Sequence, residues 1–179
     1  MAVLLTGDQL GALFEGVRRY AFRLETRDRY NVPNERPSFE AFMAGAGELD
    51  ESVRSGHWYD RTRRAAMEGR PFSRVRVVSV PLGDYSRYAL WCAQGNVAAG
   101  EDIRYLDRVR AVGLGLPVEP PHDAWLFDDE HVAVLRFDDD DAFVGAELLD
   151  DSATIAQHQQ WRRIAWEAAV SRDEFADAL

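Results

Sequence analysis

Apolar and polar positions follow helical spacing in some stretches and alternate in others. Thr6 followed by Gln9 matches a capping box, and Leu10, Leu13, Phe14 and Val17 recur on one face, which predicts a helix from residue 7 to Arg18. Ala21 to Arg27 alternates instead: Phe22 and Leu24 point one way, while Arg23, Glu25 and Arg27 point the other. That is the pattern of a strand with one buried face. Asn31 to Pro37 carries two prolines and reads as a loop. A short helix follows from Phe39 to Met43 and stops at Gly45 and Gly47. A longer one is predicted from Asp50 to Glu68, with Val53, Trp58, Ala65 and Met67 along it and Gly69 at its end.

The second half is more regular. Arg74 to Val80 is β-branched and ends at Pro81, as a buried strand would. Leu82 to Asn96 has Tyr85, Tyr88, Ala89 and Cys92 at helical spacing, and Ile103 to Leu106 is a short strand, so the three form a βαβ unit. Residues 107 to 121 read as a loop. Asp123–Phe127 and His131–Phe137 form a hairpin across Asp128-Asp129-Glu130, and Phe143 to Leu149 adds a strand. Asp151 or Ser152 caps a last helix running to Val170, with Ile155, Trp161, Ile164, Ala165 and Ala168 inward. The fold class expected is α+β with α/β character: a mixed sheet of five or six strands containing one βαβ unit, with helices on its faces. Residues 1–179 read as one domain, mainly helical with one strand over 1–70, the βαβ, hairpin, strand and helix following over 71–170.

Composition narrows the chemistry. All 21 basic side chains are arginine, which excludes a Schiff base, a P-loop lysine and a His-x-Lys phosphodiesterase pair. Arginine stays protonated and forks onto anions, so it binds well and transfers protons poorly. One cysteine, Cys92, excludes internal disulfides and fits a reducing compartment. No apolar run approaches a membrane span and the N-terminal residues do not resemble a signal peptide, so a cytoplasmic protein without membrane contact is expected. The net charge of −10 argues against direct nucleic-acid binding. It also conceals an asymmetry, with arginines concentrated from Arg54 to Arg76 and acids from Glu119 to Asp151. Solvated surface is the plain reading; docking on an acidic partner, or on a second copy as a homodimer, is the sharper one.

Three groups carry candidate chemistry. His122, Asp128, Asp129, Glu130 and His131 surround the hairpin turn. His122 and Asp129 stand as catalytic candidates, and His122, Asp128 and Asp129 as metal-ligand candidates, although side chains in one tight turn diverge. At the carboxyl edge of the Arg74–Val80 strand, Ser79, Tyr85 and Arg87, joined by Arg23 and Arg27, are candidate ligands for a small anion. Asp84 is expected to cap the next helix. Arg23 to Asn31 alternates in charge and reads as an exposed ion-pair network, with an interaction edge or a ligand-reading face as the alternative. Cys92 falls on an apolar helix face, a core position rather than a nucleophile. No cofactor is implied.

Two resemblances add to this. The spacing of His122 and Asp129 is similar to the His-x-Lys-x4-Asp signature of phospholipase-D-like phosphodiesterases, and the order of elements resembles one half of that fold. Ala124 stands where that family holds the phosphate with lysine. Across nearly the whole chain, Phe22–Tyr30, Val75–Ser79, Asp84-Tyr85, Asn96–Arg104 and Trp125–Asp129 resemble an uncharacterised actinobacterial family often encoded beside helix-turn-helix regulators. That resemblance implies an accessory regulatory role and defines no site residues. The expected function is a non-catalytic regulatory or binding protein acting through a protein partner, such as a DNA-binding regulator, or a small ligand. The alternatives are a divergent phosphodiesterase, nuclease or metal-assisted hydrolase using His122 and Asp129, or a small biosynthetic enzyme using the Ser79–Arg87 crevice.

Overall fold

Strand β1 (Ala21–Glu25) lies at the middle of a seven-stranded mixed sheet in the computed structural model, which describes residues 4–47 and 56–179. On one side of it come β2 (Phe72–Val78) and β3 (Asp102–Asp107), both parallel to β1, then β7 (Val170–Ser171), antiparallel. On the other side β4 (Ala124–Phe127), β5 (His131–Phe137) and β6 (Phe143–Leu149) form an antiparallel meander, giving the order β6-β5-β4-β1-β2-β3-β7. The sheet has seven strands where five or six are expected; β7, which the pattern misses, is two residues long, too short to alternate visibly.

Helices cover both sides. α1 (Gly7–Glu15) opens on the capping box between Thr6 and Gln9. A 3-10 turn (Pro33–Glu35) leads into α2 (Arg36–Met43), and α3 (His57–Met67) precedes β2. The first turns predicted for α3, with Val53, lie outside the described residues. α4 (Asp84–Ala98) is the crossover of the β2-α4-β3 unit. Together with α1, α3 and the terminal α7 (Arg172–Asp177), it packs on the face that carries Phe72, Val78, Ile103, Tyr105, Trp125 and Phe127. α5 (Arg108–Gly113) and α6 (Ser152–Ala168) cover the opposite face, with Ala111, Ala165 and Ala168 against Phe22, Leu24, Val75, Val77 and Leu106. α5 and α7, six residues each, are the helices the pattern misses; one and a half turns give no period. A capping box at Ser171 and Glu174 does mark α7 in the sequence.

The central place of β1 overturns the expectation of one buried face. Helices cover it on both sides, and Glu25 retains only 1% exposure. The charged alternation therefore begins inside the fold, at Arg23 and Glu25, and comes out to the surface by Arg29. The described arginines of the basic run are paired within the fold, as are some acids of the acidic run. Arg61 and Arg64 both reach Glu15 (3.0 and 2.6 Å), and Arg63 pairs with Asp60, while Arg70 pairs with Glu68. Among the acids, Asp141 holds Arg27 and Arg29, and Glu130 holds Arg18. No helix among the described residues is long and apolar enough to cross a membrane.

Candidate functional site: an arginine floor beneath a large cavity

Strand alternation builds the site. In the paired register Arg23 stands beside Arg74 on one side and Trp125 on the other, while Glu25 stands beside Arg76, which stands beside Tyr105. All point to the same face, so three guanidiniums share one sheet surface. Neighbouring like charges destabilise a sheet unless anions separate them. Glu25 is that separator. Its Oε1 accepts from Arg74 (3.0 Å) and lies 3.0 Å from Arg23, and its Oε2 accepts from Arg76 Nε at 2.5 Å. Burial alone raises the Glu25 carboxyl, but Arg23, Arg74 and Arg76 outweigh it and hold the group well below the usual carboxylate range.

A second buried acid arrives by a helix ending. α4 closes in a Schellman motif, with Glu101 N–H on Asn96 O and Gly100 N–H on Val97 O. Gly100 has φ +100, and a Cβ there would meet Ala66 Cβ at 2.8 Å, so glycine is required on both counts. This turn drives Glu101 under the sheet surface, where Arg74 donates to Oε1, and Asn96 (2.7 Å) and the Trp58 indole (3.2 Å) donate to Oε2. Asp123, just before β4, accepts from Thr26 N–H and hydroxyl and from the Tyr30 hydroxyl.

Above this floor is a cavity of about 930 Å³, walled by α3, α4 and the segment from Val32 to Ser38. That volume falls within the range of small-molecule sites. Tyr85 and Tyr88 line one wall, and Trp58 and Trp125 another. Glu35 enters from the 3-10 turn and accepts from the Tyr85 hydroxyl at 2.8 Å. Burial raises its carboxyl, against the pull of Tyr85 and Arg76. Cys92 also lines the cavity, where burial pushes the thiol up to about 11 and keeps it protonated near neutrality. Among the described residues Arg76 makes one hydrogen bond, through Nε. Its two terminal nitrogens find no protein acceptor, although the residue is only 9% exposed and lines the cavity. Arg23 Nε is buried without a partner as well.

The five anion-site candidates divide three ways. Arg23 and Tyr85 belong to this cavity. Ser79 and Arg27 border a separate open cleft of about 430 Å³ at the carboxyl ends of β1 and β2. There Ser79 donates to Asp28 through N–H (2.8 Å) and Oγ (2.6 Å), and Arg108, on the unforeseen α5, donates to Ser79 Oγ at 2.9 Å. Arg87 is exposed and pairs with Asp84 at 3.5 Å. Gly83, not Asp84, occupies the N-cap of α4, and the Asp84 side chain makes no capping bond. Arg74, Arg76 and Glu101 are floor residues that sequence reasoning did not single out, and Glu25 enters it only as part of the charged Arg23–Asn31 stretch. The signal was present in the Arg-Val-Arg-Val alternation of β2.

His122 and Asp129 lie beyond opposite ends of β4, whose four residues alone span roughly 13 Å of extended chain. His122 Nε2 lies 2.9 Å from His158 Nε2, and the His158 Nδ1 proton goes to Thr154 O, so His122 is the donor of the pair. Asp128 accepts from three backbone N–H groups, those of Arg18, Arg19 and Tyr20, and Asp129 accepts from the Tyr20 hydroxyl. Among the described residues no three His, Cys, Asp or Glu side chains gather as a metal-holding group.

The histidine pair has a measurable consequence. Burial, then the neighbouring His158, lowers His122 to about 4, and burial lowers His158. An unfolded histidine protonates near 6.5, so the folded state keeps its full advantage above that pH. It loses the advantage as the pH falls toward 4, where only the unfolded chain has taken up the protons. Allowing for partial exposure, this amounts to roughly 2 kcal/mol. Urea midpoints between pH 7.5 and 5 should fall more steeply for the native protein than for His122→Gln; parallel curves would refute the assignment.

No curated protein matches the chain. A family model described as a domain of unknown function, DUF6879, matches residues 8–177, so nearly all of the chain is accounted for by it, floor and cavity walls included. The chain belongs to the DUF6879 family.

Proposed function

We propose that this chain is a non-catalytic binding protein whose cavity takes a small organic anion and whose liganded form is read by a protein partner. One observation carries the ligand half: a buried guanidinium, that of Arg76, turns two unpartnered terminal nitrogens toward a cavity large enough for a small molecule. Those nitrogens are reached from the cavity rather than sealed off, so an anion there can take charge-assisted hydrogen bonds, roughly twice as strong as neutral ones, from a cation already in place. The strongly acidic composition suits a protein partner better than DNA, and a helix-turn-helix regulator in an actinobacterial cytoplasm is the setting that fits the resemblance. The hydrolase alternative has less support, since His122 is occupied with His158 and stands away from Asp129.

The test is thermal stability and calorimetric titration with benzoate, succinate and inorganic phosphate. At least one should raise the melting temperature of the native protein, and Arg76→Gln should weaken its binding tenfold or more, with circular dichroism confirming the fold. No response to any of the three would sink the ligand reading.

A further inference from the structure

Resting on the anion-binding reading, we infer that the ligand is a planar aromatic monocarboxylate, its carboxylate on Arg76 and its ring between the aromatic walls. Two independent features support this.

The first is the fixed charge. The three guanidiniums of the floor face four carboxyl groups: Glu25, Glu101, Asp123 and Glu35. Glu25 stays ionised among the arginines, whereas burial pushes Asp123 and Glu35 toward the neutral form. Arg23 is paired with Glu25, and Arg74 with both Glu25 and Glu101, whereas Arg76 keeps its two terminal nitrogens free, so the floor has a place for one added negative charge. A second would find the neighbouring cations already engaged by carboxylates. Polyphosphates are disfavoured on this ground, and a phosphate monoester dianion is a poorer fit than a carboxylate. A guanidinium edge with two free nitrogens also matches the two oxygens of a carboxylate.

The second feature is the walls. Tyr85 and Tyr88, with ring centres 5.9 Å apart, belong to an aromatic group that continues through Phe39, Phe42 and Trp91. Trp58 and Trp125, 5.7 Å apart, belong to another with Phe14 and Phe72. Five of these rings line the cavity, Tyr85 and Tyr88 from the first group and Phe14, Trp58 and Trp125 from the second. The floor cations already stack on rings, with Arg23 over Trp125 at 5.6 Å and Arg74 over the same ring at 6.0 Å. A flat π-system joins such a stack with edge-to-face, offset and cation–π contacts that a saturated ring of equal size cannot make.

Calorimetric titration of the native protein with four ligands on one carbon skeleton tests this: 2-naphthoate, decahydro-2-naphthoate, 2-naphthyl phosphate at pH 8, and 2-naphthamide. The expected result is 2-naphthoate binding at least tenfold tighter than each of the other three. Equal binding of the saturated acid overturns the aromatic assignment while leaving the anion reading intact. Tighter binding of the phosphate overturns the single-charge limit, again leaving the anion reading intact. Binding of the amide as tight as the acid, or of no ligand, removes the anion reading itself.

Discussion

Glu25→Gln is expected to destabilise the protein by about 3–5 kcal/mol, the usual result of removing one partner from a buried charge network. The substitution preserves shape and hydrogen-bonding size, so the loss reports charge. Without the carboxylate, Arg23, Arg74 and Arg76 repel one another on adjacent strands in a site from which water is largely excluded. For a chain of this length the loss corresponds to a fall of roughly 10 °C in melting temperature. Glu130→Gln is the control. It breaks the exposed pair with Arg18 (2.5 Å) and should cost less than about 1 kcal/mol. Urea unfolding of the two variants side by side decides the matter; equal losses would mean that the floor is far better solvated than its packing implies.

Asp128→Ala should follow closely, at about 3 kcal/mol. Asp128 and Asp129 are the central residues of the β4–β5 turn, with φ of 55 and 62, and Glu130 N–H closes the turn on Phe127 O at 2.8 Å. Both φ values lie in the left-handed region that disfavours side chains. Aspartate remains at position 128 because its carboxylate accepts the N–H groups of Arg18, Arg19 and Tyr20 at 2.8, 2.8 and 2.9 Å, tying the hairpin to the entry of β1. Alanine keeps the strain and orphans those donors. Glycine orphans them too but relieves the strain, so Asp128→Gly should be less damaging than Asp128→Ala by about 1 kcal/mol. The reverse order in thermal unfolding would show that the hydrogen bonds at Asp128 are incidental.

The sequence displayed the elements better than their arrangement. Capping at Thr6 and Asp151, the strand signals of β1, β2 and β5 and the stop at Gly69 act between residues a few positions apart, and each element stands in the structure close to where local rules place it. The site depends on relations that local rules do not encode. Arg23 and Glu25 look like the wet side of a strand until β1 is known to be central, with β2 and β4 on its flanks. Glu101 follows a helix as an ordinary acid would, and only the left-handed turn at Gly100 carries it inward. Tyr85 was found for the wrong edge: its position on α4 was legible, but the side of the sheet that α4 covers was not.

α2 is thinly attached. None of its residues is fully buried, and it holds to α4 chiefly through Phe39 on Tyr88 and Phe42 on Trp91. An element so lightly anchored opens at a small fraction of the free energy that unfolds the central strands. Ser38 and Pro37 from this helix form part of the cavity wall, so opening of α2 would uncover the interior while leaving the arginine floor assembled. If the cavity takes a ligand as proposed, equilibrium affinity and exchange kinetics would then belong to different parts of the chain: the strands would set how tightly an occupant is held, and the aromatic contacts of one short helix how long it stays.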